Sequence, residues 1–388
     1  MDLDLSAEQE MLRDMVRNVC GSYASLETVR ALEDDPVGYP AELWKQMAAL
    51  DLIGLMVPAE YGGSGMSALE GAVVYMELGR SLAPTPHFVS AVMAAGVLVR
   101  SGSADQQRVW LPKIVTGDAI VTTAWLEPGN GYGPRGVQVH ATPDGDHVVL
   151  DGSKTHVPFA SAATAMIVLA RTGTGERDVD LFLVDATQPG LTMNQQLSLA
   201  SDTQYDVALS GVRVPASARI GRPGTGWDVW QATLLDGIVF LAAQAVGGAR
   251  HALDITVQYA KDREQFGKPL GAFQAIAHYL SDAVTAVDGA ETLVLEAAWA
   301  AANGQSIERL APMAKLFACK TFRDVTAMCQ QVFGGVGFTL DYDIQLFFRR
   351  AKQLQISWWD DRSLEELIAA TVLDPRSGPV PAAAPGVN

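Results

Sequence analysis

Arg263-Glu264-Gln265-Phe266-Gly267-Lys268-Pro269-Leu270, followed by Phe273-Gln274-Ala275, sits between two stretches of helical periodicity. Upstream, Trp230, Leu234, Ile238, Leu241 and Ala245 recur at intervals of three or four; downstream, Ile276, Leu280, Val284 and Val287 do so too. That spacing lines one face of a helix, so the segment is a turn between two long helices. A guanidinium can hold paired phosphate oxygens in a fork, and a neighbouring aromatic ring can line a purine. The same residues also suit a plain basic helix end at a Gly-Pro turn. Further on, Gln331-Val332-Phe333-Gly334-Gly335-Val336-Gly337-Phe338 offers glycines that let backbone approach a ligand closely, or that merely cap a helix.

The pattern changes outward from this bundle. Residues 119–225 read as a β unit, with strands expected at 137–140, 147–150, 166–170, 180–184 and 207–214, and a hairpin turn at Pro143, Asp144 and Gly145. Residues 1–118 return to helical spacing, as in Met11, Met15, Val19 and Leu43, Met47, Leu50, with Ser6 and Gln9 forming a capping box and the glycines from Tyr61 to Gly65 a loop. The bundle occupies 226–373, and the unpatterned Pro, Ala and Gly of 374–388 predict a disordered tail. Its first helix is rich in Ala242, Ala243, Ala245, Gly247, Gly248 and Ala249, small residues that let neighbouring helices come close.

The 388 residues predict two or three packed units. A formal charge of −16 without basic clusters argues against nucleic acid, and no run reaches the roughly 20 apolar residues of a membrane span. The N-terminal stretch lacks the pattern of a secretory signal, which makes the cytoplasm the expected location. Three scattered cysteines read as reduced core thiols. His87, His140, His147, His251 and His278 read as structural, with no metal set expected.

Helices, then strands, then four long helices resemble the acyl-CoA dehydrogenase family from Leu5 to about Ala370. The resemblance implies an α+β fold with a helical N-terminal domain, a central β-barrel-like domain and a C-terminal four-helix bundle. The segment at Arg263 is similar to the family's Arg-x-x-Phe-Gly, and Gln331 to Gly337 to its Gln-x-x-Gly-Gly-x-Gly. By resemblance, Arg263, Gln265, Phe266, Gln331, Gly334 and Gly335 bind the adenine half of FAD across a subunit boundary. Leu126-Glu127-Pro128-Gly129-Asn130-Gly131 and Lys154-Thr155-His156-Val157-Pro158 are similar to its two flavin-facing segments, which makes Leu126, His156 and Pro158 candidate flavin neighbours. The family's hydroxyl residues fall on Leu126 and Pro158, whose side chains donate nothing.

The family removes a proton α to a thioester and therefore needs a positioned carboxylate. Counted without gaps, its usual glutamate falls on Trp358 and the alternative position on Gly237, with Asp236 next to it as the foremost substitute and Asp360 and Asp361 behind. The resemblance thus implies FAD as cofactor, an acyl-CoA thioester as substrate, a homo- or hetero-tetramer with a related subunit, and an electron-transfer flavoprotein or similar acceptor. Three readings follow: a base-lacking subunit of a heteromeric enzyme, a homotetramer using Asp236, and a flavin-free protein that keeps the fold.

Overall fold

The computed structural model describes residues 4–373, so the tail expected at 374–388 lies outside the described residues. Six α-helices come first: α1 (Ala7–Tyr23), α2 (Leu26–Ala31), α3 (Ala41–Ala49), α4 (Ala68–Arg80), α5 (Ala95–Ser101) and α6 (Ala104–Val115). Ser6 accepts from the Gln9 amide while the Gln9 side chain accepts from the Ser6 amide, so the capping box forms as expected. A π-helical turn, Phe88–Ala94, runs directly into α5. Such turns are uncommon and favour functional sites.

The strands β1 (Val121–Ala124), β2 (His140–Asp144), β3 (His147–Pro158), β4 (Ala165–Arg171), β5 (Val179–Asp185), β6 (Leu191–Gln196), β7 (Gln204–Pro215) and β8 (Arg219–Ile220) form one sheet. Its path is β6-β7-β3-β2-β4-β5-β8, with β1 pairing β4 in parallel. Along β4, Ala165, Ile167 and Leu169 join the core shared with the helices, whereas Met166, Val168 and Ala170 fill a second core inside the sheet. The two-residue period of a strand makes this one ladder the seam between the domains.

The β2–β3 hairpin turns where expected, with Asp144 opposite His147 and Gly145 at a φ of 62°. The strand expected at 137–140 instead begins at His140, because the amides of Gln138 and Val139 donate to the Glu127 carboxylate. Strands β1, β6 and β8 were not anticipated.

The C-terminal unit holds α7 (Gly226–Asp262), α8 (Gln274–Ala302), α9 (Leu310–Phe333), α10 (Ile344–Ile356) and a further helix, α11 (Asp361–Leu373), one more than the four expected. Helix α7 is long and apolar enough to cross a membrane, but 78% of its most apolar window is buried in protein. Its small residues explain how. A Cβ on Gly247 would lie 1.8 Å from the Met76 carbonyl oxygen of α4, and one on Gly248 would lie 2.5 Å from the Phe322 ring of α9.

Gly247→Ala therefore forces backbones apart and should destabilise the protein by about 1–3 kcal/mol. Gly21→Ala, in α1 with open space around it, should instead stabilise by roughly 0.5–1 kcal/mol. Thermal melting of both variants checks this, and an undiminished melting temperature in G247A would contradict the packing account.

Candidate functional site

A cavity of about 350 Å³ lies where the three units meet. Its walls come from α4, the π-helical turn, the loop after β1, the end of β3, the loop before β7, α7 and α10. Of the residues singled out above, Leu126, His156, Pro158 and Trp358 line it. Arg263, Gln265, Phe266, Gln331, Gly334 and Gly335 do not.

The β-domain wall is fastened from behind. Lys154 is fully buried, and its Nζ donates to Glu127 Oε1 at 2.6 Å and to the Trp125 carbonyl at 3.3 Å. The Glu127 carboxylate also accepts the amides of Gln138 and Val139, so its charge is well satisfied. The Thr155 amide donates to the Leu126 carbonyl at 2.9 Å, joining the two segments directly. Burial pulls the Lys154 amine down to about 8, against the opposing pull of Glu127. Beyond it the β3–β7 register shifts between Lys154 and Val157, and His156 takes a φ of 52°. Bulges re-aim side chains in this way. His156 Nδ1 meets Gln204 Oε1 at 2.8 Å.

The position of the family's usual base is aromatic. Trp358 lies parallel to Trp125, with 6.1 Å between centroids and 13° between planes, and meets Phe88 edge-on at 4.9 Å. Trp230 completes the group, 5.3 Å from Trp125. Trp358 and Trp359 both have positive φ, 55° and 72°, a conformation that costs about 1–2 kcal/mol per non-glycine residue. Buried Lys315 holds this turn by donating to the carbonyls of Leu354, at 3.1 Å, and Trp359, at 2.8 Å. Sequence reasoning missed Lys315, and missed Glu127 with Lys154 as a pair, because the partners lie 27 or more residues apart.

Asp236, the foremost substitute base, stands away from the cavity. It is half-exposed, ion-paired with Arg100 and absent from the cavity lining. At Gly237 a Cβ would lie 2.9 Å from Met93 Sδ and 3.3 Å from Phe88, so a side chain here would have to displace Met93. Asp360 caps α11 through the Ser363 amide, and Asp361 accepts from Gln355. Both therefore have structural partners.

The second set of residues gathers elsewhere. Tyr259 in the last turn of α7 stacks on Phe333 at the end of α9, with 4.1 Å between centroids. The stack sets Arg263, the C-cap of α7, beside Gly334, the C-cap of α9. Arg263, Gln265, Gln331, Gly334 and Gly335 are exposed, and Phe266 is 92% exposed. Among the described residues Arg263 makes no side-chain hydrogen bond or ion pair, so its fork is open. No atom lies within 4 Å of where a Cβ would sit on Gly334 or Gly335. An open guanidinium, an exposed ring and bare backbone suit the adenosine diphosphate half of a dinucleotide. The ring half fits less well, because Leu126 and Pro158 bring no side-chain donors to the cavity.

Models of the acyl-CoA dehydrogenase N-terminal, middle and C-terminal domains match residues 6–118, 122–212 and 224–372 in that order. The chain belongs to the acyl-CoA dehydrogenase family. It is 31% identical to the mitochondrial short-chain specific acyl-CoA dehydrogenase of Bos taurus, over 90% of this chain and 87% of the relative. Butyryl-CoA dehydrogenase from Megasphaera elsdenii superposes with a TM-score of 0.90 at 27% identity, covering 96% of this chain and 100% of the other. A chain of the ChsE4-ChsE5 complex from Mycobacterium tuberculosis does so with a TM-score of 0.87 at 28% identity, covering 98% and 100%. Acyl-CoA dehydrogenases are flavin-dependent oxidoreductases that act on acyl-CoA.

His87, which sequence reading left as structural, is buried at the cavity wall. Nε2 meets the Leu52 carbonyl at 3.0 Å and must carry the hydrogen, so Nδ1 accepts from Tyr75 Oη at 2.9 Å. Burial lowers its pKa from 6.5 to about 4. The unfolded chain takes up a proton near pH 6.5 that the native state refuses until about pH 4. Stability is thus complete above that range and drains as pH falls through it, by about 3 kcal/mol. Melting curves between pH 7.5 and 4.5 should show the loss, with a shallower slope in His87→Gln; an identical slope would contradict the assignment.

Proposed function

We propose that this chain is a base-lacking subunit of a heteromeric FAD-dependent acyl-CoA dehydrogenase, and that it completes a flavin site belonging to a related subunit. The observation that carries the reading is the split between its two surfaces. The Arg263 face keeps an open guanidinium, glycine backbone and exposed ring, while Trp358 fills the usual base position and Gly237 supplies no carboxylate at the alternative.

Distance supports it. From Leu241 at the cavity to Arg263, helix α7 covers about 33 Å at roughly 1.5 Å per residue. Arg263 therefore serves a ligand group well outside this chain's own cavity. The face it stands on is also apolar, with Phe338 76% and Leu340 71% exposed on the loop after α9. Exposed apolar surface of this kind suits contact with another subunit. The likeness to a chain of the ChsE4-ChsE5 complex favours a two-chain assembly.

In such an assembly Arg263 would hold the diphosphate, Gln331 and the Gly334 and Gly335 backbone would lie along the adenosine, and Phe266 would cover the base. The bound flavin would supply hydride acceptance from the acyl chain. The proton would leave to a carboxylate of the partner subunit, since the two carboxylates that line this chain's cavity, Asp202 and Glu33, are engaged by Gln353 and Arg349.

The chain purified alone should be colourless, and it should co-purify with flavin absorbance when expressed with a related subunit. Yellow protein from the single chain that bleaches with an acyl-CoA would defeat the proposal. In the assembly, Arg263→Ala should release flavin, at a cost of about 2–5 kcal/mol for losing a desolvated charge contact. Flavin content unchanged by R263A would remove the assigned role.

A further inference from the structure

One wall of the cavity carries charge that the proposed flavin role does not use. Helix α10 presents Arg349, Arg350 and Lys352 to it, facing Glu33 and Asp202. Arg349 is saturated: it pairs with Glu33, donates to Gln345 Oε1 at 2.8 Å and reaches the Leu199 carbonyl and Ser201 Oγ. Asp202 is engaged as well, accepting from Ser198, Gln204 and Gln353.

Arg350 differs from its neighbour. It is part-buried and lines the cavity, and among the described residues its guanidinium makes no hydrogen bond or ion pair, so its fork is open to the cavity. Glu33 and Asp202 act on it only through space, while burial and Arg349 disfavour its charge. A guanidinium stays protonated at any ordinary pH, so one that faces a cavity with no partner of its own offers an anion a fixed fork of donors. Lys352 also has no ion pair among the described residues.

We propose that the cavity of this chain binds an amphipathic carboxylic acid, with its carboxylate on the Arg350 guanidinium and its apolar body against Leu82, Phe88 and Trp358. The wall's three cations and two carboxylates leave one positive charge, which matches a monoanion; a phosphate dianion would be repelled by Glu33 and Asp202. A planar carboxylate fits the guanidinium fork. The volume, about 350 Å³, falls at the small end of ligand pockets and suits a medium-length chain. The site holds a ligand without acting on it, and it stands whether or not the chain has a flavin partner.

Equilibrium dialysis of the full chain near neutral pH with octanoate, octan-1-ol and octyl phosphate tests this. Octanoate should bind about tenfold more tightly than octan-1-ol, the worth of one charge-assisted contact, and more tightly than octyl phosphate. Arg350→Gln should abolish the preference for octanoate while leaving octan-1-ol affinity unchanged, and Arg350→Lys should keep part of it. Equal binding of acid and alcohol by the wild-type chain, binding of neither, tighter binding of the phosphate, or a preference that survives in R350Q would each overturn the proposal. The wild-type comparison stands even if the Arg350 variants fold poorly.

Discussion

The close approach of helix α7 to its neighbours is the constraint on which the rest of the molecule depends. At Gly247 and Gly248 backbone and ring occupy the space of a side chain, which lets α4 and α9 pack against a single central rod. The rod joins two surfaces that do different things. Near its middle, Leu241 and Gln244 line the cavity; at its end, Arg263 stands in the open beside the cap of α9. Any rotation or bend of α7 would move both, so the glycine contacts fix the geometry of the cavity and of the Arg263 face together.

Aromatic packing dominates one side of the cavity. Trp358 stacks on Trp125, with Phe88 edge-on and Trp230 tilted beside them, and buried Lys315 holds the strained turn that presents Trp358 to the group. A carboxylate there would have aromatic rings as its nearest neighbours, and apolar surroundings disfavour its charge. The opposite wall keeps strong ionic order, with Glu127 and Lys154 buried as a pair that ties the loop after β1 to strand β3. The segments that face the cavity are thus held rigidly, while Leu126 and Pro158 bring no side-chain donors to it.

The sequence by itself determined what repeats locally or stands in an unbroken run. Helical and strand periods divided the chain into three units, Ser6 and Gln9 announced a cap that forms, Gly145 marked a hairpin that turns there, and the runs at Arg263 and Gln331 marked two helix ends. Strands β1, β6 and β8 escaped because they are short and take their pattern from partners far along the chain. Only the tertiary structure decided that Tyr259 on Phe333 brings the two helix ends to one face, that Arg100 takes Asp236 away from the cavity, and that Arg350 lacks the partner its neighbour has. These are matters of which distant side chains share a few ångströms of space, and the one-dimensional spacing of residues carries no record of that.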